Sequence, residues 1–164
     1  MSASAGFSEA NGVGEDITDA ISNINFGSSD DPNLVAASNT IVAGENSYEK
    51  FICVKFTGTW TEISNMKFWK SAGVYKTEED IHAAAQATFA TPVATTSSIA
   101  TSTIPTTSGT ALELKSAEGE DVVEYGASGV TGYTDYVCLQ LQTTVSTETG
   151  AVNTKTFTFQ WDET

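Results

Sequence analysis

Residues 48–57 run Tyr-Glu-Lys-Phe-Ile-Cys-Val-Lys-Phe-Thr, and an extended chain sends Ile52, Val54 and Phe56 to one face and Phe51, Cys53 and Lys55 to the other. Apolar bulk on both faces predicts a strand that is covered on both sides. A lone hairpin with one wet face cannot satisfy it, so the chain must supply further layers around this segment.

Other segments alternate with the same period. In 60–70, Met66 and Phe68 share one face while Lys67 and Trp69 take the other, which predicts a strand with a partly wet or partner-covered Trp69. Residues 133–146 and 153–162 alternate on either side of a Gly150-containing connection and predict a β-hairpin. Its buried rows are Val137, Leu139 and Leu141 on one strand and Phe157, Phe159 and Trp161 on the other. Residues 111–115 form a short alternating strand, and 21–27 predict another, closed by the turn-forming run 28–33.

Residues 77–89 fit two templates. Thr77 followed by Glu78, Glu79 and Asp80 has the chemistry of a helix start, yet Ile81, Ala83, Ala85, Ala87 and Phe89 alternate strictly, and the strand reading is preferred. The Thr-, Ser- and Ala-rich 91–110, with Pro92 and Pro105, predicts an interrupted strand and a crossing loop. Seven to nine strands at this spacing predict an all-β, single-domain antiparallel β-sandwich or jelly roll over 21–164.

Residues 1–20 contain three glycines and few large apolar side chains. They are read as an extended N-terminal arm ordered by contact with another subunit, the alternative being an arm packed on its own domain. They lack the basic and apolar stretches of a secretory signal. No run approaches the length needed to span a bilayer, so no membrane partner is expected.

Composition narrows function. Twenty-one acidic residues against seven basic ones give a net charge of −14, and all seven cations are lysines. Without arginine and with this charge, nucleic-acid binding through a basic surface is not expected. His82 is the sole histidine, which excludes a multi-histidine metal site and leaves any Ser-His-Asp arrangement dependent on one residue. Cys53 and Cys138 lack Cys-x-x-Cys spacing, sit in apolar runs, and are read as free core residues of a chain made in a reducing compartment.

Gly126, Gly129 and Gly132 have loop spacing without a basic residue or a following helix, so they predict no phosphate site. The acidic clusters Asp30-Asp31, Glu78-Glu79-Asp80 and Glu118-Glu120-Asp121 could offer oxygen ligands to calcium, but lack EF-hand spacing and are read as solvated turns. No catalytic residue, metal site or cofactor is expected.

Four stretches together carry a resemblance: residues 23–27 (Asn-Ile-Asn-Phe-Gly), 43–50 (Ala-Gly-Glu-Asn-Ser-Tyr-Glu-Lys), 63–70 (Ile-Ser-Asn-Met-Lys-Phe-Trp-Lys), and the ending formed by 136–141 with 159–163. They resemble a group of small, acidic, Thr-rich virion structural proteins of tailed bacteriophages. The resemblance covers most of 21–164 and implies a structural role in a virus particle, with the chain made in the host bacterial cytoplasm.

Within that role the acidic, Arg-free chain suits capsid decoration on the outer shell, where it meets solvent and not packaged DNA. Its partners would be the major capsid protein and copies of itself in a closed symmetry such as a trimer. A neck, tail or fibre-base adaptor is the alternative within the particle. A host-glycan-binding module is the alternative from another class, drawing on Trp60, Trp69, Tyr75 and Tyr133. With Phe7 from the arm, these four aromatics are the candidate interface residues.

Overall fold

The computed structural model describes residues 2–115, 123–124 and 132–164. Within them the chain forms β1 (Ser2–Asn11), β2 (Asp16–Thr18), a single 3-10 turn (Ala36–Ser38), β3 (Lys50–Thr59), β4 (Glu62–Ala72) and β5 (Glu79–Gln86). It continues through β6 (Ser102–Thr103), β7 (Leu112–Glu113), β8 (Val123–Glu124), β9 (Gly132–Tyr133), β10 (Tyr136–Thr143) and β11 (Thr156–Glu163). The fold is all-β and every strand pairing is antiparallel.

The first sheet has the order β2-β1-β3-β10-β5-β6, with β9 also beside β3. The second has the order β11-β4-β7, with β8 also beside β4. Ile52, Val54 and Phe56 of β3, Val137, Leu139 and Leu141 of β10, and Ile81 and Ala83 of β5 meet Ile63, Met66 and Phe68 of β4 in one core. Aromatic rings join the two sheets there: Phe56 lies 5.6 Å from Trp161 and 6.0 Å from Phe159, centroid to centroid. The first sheet is also covered on its other face. Phe51, Cys53, Tyr136 and Cys138 pack there with Ala100, and Phe89, Ala90 and Ile99 close over them. The two-sided covering expected for 48–57 is what the structure contains.

Several expectations are corrected. Residues 2–11 and 16–18 of the expected arm are strands β1 and β2 of the first sheet, and β1 pairs with β3 of the same chain from Ser2↔Thr59 to Ala10↔Phe51, so the segment packs on its own domain, the alternative reading. The physical reason is its own alternation: Ala3, Ala5 and Phe7 face the core, and Phe7 meets Phe68 and Phe159 edge-on at 6.2 and 6.5 Å. The small residues between them let a chain of few large side chains lie flat on the sheet.

The expected β10–β11 hairpin is instead a crossing between sheets, with β10 paired to β3 and β5, and β11 paired to β4. Its two apolar rows join the same core from different sheets, Val137, Leu139 and Leu141 buried and Phe157, Phe159 and Trp161 partly buried. Residues 21–27 form no ladder; they are irregular, and Ile21, Ile24 and Phe26 pack against the core. Of the two readings for 77–89 the strand is realised as β5, with Glu79, Ile81 and Ala83 buried.

Because β1 shields the long β3 ladder, deleting residues 2–11 should leave a chain without a cooperative urea-unfolding transition. Phe7→Ala should keep the transition but lower stability by about 3 kcal/mol, the low end for emptying an aromatic core site.

Candidate functional site

Glu49 precedes β3 and points to the outer face of the first sheet, where it is 1% exposed. Its carboxylate accepts from Ser98 Oγ at 2.6 Å, Ile99 N at 2.8 Å and Val93 N at 3.0 Å, and its own amide donates to Val93 O. Gln140 of β10 donates to Ser47 O and Thr95 O, both at 3.1 Å. Together they bind the irregular 92–100 segment over the second apolar face and satisfy backbone groups that β pairing leaves free. The signal in the sequence is the amide of Gln140 inside the otherwise apolar run 137–141; Glu49, next to Lys50, carries no such mark.

Cys53 and Cys138 lie beneath that cover as free thiols. Burial pushes the Cys53 thiol up to about 12, and burial followed by the nearby Glu49 carboxylate pushes Cys138 up as well. Thiols held protonated in this way are poor nucleophiles.

Two further ionic clusters lie at the end of the sheets where β3 and β5 begin. Lys50 Nζ sits 2.8 Å from Glu9 Oε1 and donates to Asp31 O at 2.9 Å, while Asn11 donates to both Glu9 and Asp30. On the other flank Lys155 pairs with Glu79, both almost wholly buried, and the Tyr75 ring packs 4.7 Å from Lys70 Nζ and 5.2 Å from Lys155 Nζ. Burial, then the Asp80 and Glu79 carboxylates, raises the Tyr75 phenol. Each pair keeps its neighbour's charge compensated in a low-dielectric place, so removing one partner costs far more than the pair contributes.

The expected acidic clusters therefore divide. Asp30 caps Asn11 and Gly12, Glu79 pairs inward, and Asp80 accepts from Thr103 Oγ1 at 2.8 Å and from Ile81 N. Glu118, Glu120, Asp121, Gly126 and Gly129 lie outside the described residues. Among the described residues no three His, Cys, Asp or Glu side chains gather to hold a metal ion.

His82 Nε2 lies 3.7 Å from Asp80 Oδ2, and the neighbouring Thr103 hydroxyl bonds the carboxylate. A nucleophilic triad needs the hydroxyl on the imidazole.

The five candidate interface residues are scattered. Phe7 is in the shared core and Trp60 is buried at the β3–β4 crossing, 3% exposed and 6.0 Å from Phe56. Tyr75 is held between the two lysines. Tyr133 donates to Asp19, whose carboxylate also pairs with Lys55, and the Lys55 ammonium lies over its ring at 5.2 Å. That hydrogen bond from Lys55 is the main cause of a lowered Asp19 pKa. Trp69, on the outer face of β4, is partly exposed, as are Tyr75 and Tyr133. They form no common platform.

Two open surface depressions lie among the described residues, one of about 250 Å³ beside residues 18–23 and one of about 390 Å³ among Ser28, residues 44–46 and residues 94–96. Among the described residues no helix is long and apolar enough to cross a membrane. Comparison with known protein families, curated proteins and solved structures finds no match.

Glu49→Ala should free the 92–100 cover. Cys138 should then react with an aromatic disulfide reagent at least about tenfold faster than in the wild-type protein under native conditions, while Glu49→Gln, which keeps two acceptor lone pairs, should fall between.

Proposed function

We propose that this chain is a non-enzymatic structural component of a bacteriophage particle, a decoration protein seated on the outer shell, and that its two facing sheets form a β-sandwich of the jelly-roll kind. The observation that carries the reading is the use made of buried ionic groups. Glu49, Glu9 with Lys50, and Glu79 with Lys155 each tie a connection or strand end to a sheet. Such a distribution suits a module whose task is to hold shape under load.

Charge supports the outer position. A chain of net charge −14 without arginine would be repelled by packaged nucleic acid and is at ease on a solvent-facing surface. The glycan-binding alternative loses support, since Trp60 is buried and Tyr75 and Tyr133 are already engaged. A neck or tail adaptor uses the same fold and differs in number per particle.

Quantitative mass spectrometry of purified particles separates these. A copy number equal to, or a simple fraction of, that of the major shell protein is the expected result. A handful of copies would move the chain to the neck or tail, and its absence from particles would refute a structural role in them.

A further inference from the structure

The chain reversals at the Lys50 end of the sheets are stapled to one another by threonine hydroxyls. Thr143 Oγ1, which donates to Glu45 O at 2.7 Å, accepts from Gly44 N at 3.0 Å. Thr147 Oγ1 donates to Glu78 O at 2.7 Å, and Lys76 Nζ donates to Thr149 O at 3.0 Å. The backbones approach so closely that side chains are excluded. A Cβ at Gly73, where φ is +93°, would stand 2.4 Å from Thr154 O, and one at Gly44, where φ is +92°, 2.9 Å from Val145 Cγ1. Three connections, 42–47, 73–78 and 144–155, thus form one rigid pad, seated over the buried Glu79–Lys155 pair.

This pad presents apolar side chains to water. Val42 is 61% exposed, Val74 72%, Val145 85% and Val152 43%. Interspersed with them are the exposed carboxylates of Glu45, Glu78 and Glu148, against the single ammonium of Lys76. Single exposed valines are ordinary, but four on pre-stapled turns with one sign of charge between them form a surface with an ordering cost already met before binding.

We propose that this pad is the docking surface for another protein, one that offers apolar sockets ringed by lysine or arginine. Charge complementarity selects that occupant: a second copy would bring the same carboxylates face to face, and phosphate-bearing nucleic acid or anionic lipid would be repelled. The proposal rests on the particle reading, under which the occupant is the outward surface of the shell.

The test adds purified full-length chain back to particles produced without it, measuring bound fraction by co-sedimentation across a salt series. Circular dichroism checks that each variant is folded. With wild-type binding established, Val74→Asp/Val145→Asp should weaken it at least about tenfold. Glu45→Lys should weaken it and flatten its salt dependence, and Trp69→Ala, on the outer face of β4, should bind as wild type. Double-variant binding within twofold of wild type would overturn the pad while leaving the particle reading intact. Self-association of the wild-type chain that Val145→Asp abolishes would overturn the basic partner in favour of a second copy. Failure of the wild-type chain to bind at all would overturn the particle reading and this occupant together.

Discussion

The first sheet carries large apolar side chains on both of its faces, and it requires two covers. One face is met by the second sheet through Phe56, Phe68 and Phe159. The other is met by a segment without regular structure, which can lie against an apolar surface only if its backbone groups find partners there. Glu49 and Gln140 supply those partners from the sheet itself, so the second cover depends on two polar side chains placed among Phe51, Cys53, Tyr136 and Cys138. Their burial is costly in isolation and favourable only as a fully bonded set.

That arrangement explains which parts of the fold were legible in the sequence. Period-two alternation reports which side chains share a face, so the two faces of β3, the Met66/Phe68 row of β4 and the strand character of β5 could all be read. Alternation does not report which strand lies beside which. For this reason the rows of β10 and β11 were recognised, but their placement in opposite sheets was not. Residues 2–11 were misread for a related reason: with only Phe7 as a large apolar residue, the segment lacks the bulk that marks a strand, and its pairing with β3 follows from shape and free backbone edges.

Trp60, Trp69, Tyr75 and Tyr133 are candidates because exposed rings stack on sugar faces, and Phe7 because it lies in the expected arm, yet the structure packs Phe7 and Trp60 against the core and sets Tyr75 and Tyr133 beside lysines. Exposure instead concentrates on valines in turns, a residue type that sequence reading assigns to cores. Nothing in the local pattern of Val74 or Val145 distinguishes them from buried positions; only the stapling of three distant connections brings them together. The buried ion pairs of Lys50 and Lys155 lie at the same end of the sheets.

The irregular segment 92–100 should be held as firmly as the strands it covers. Hydrogen–deuterium exchange of the native chain, read at single amides, tests this most directly. The Val93 and Ile99 amides, both bonded to Glu49, should be protected to the same order as the interior amides of β3 and β10. Exchange of these two amides at the rate of solvent-exposed turns would contradict it.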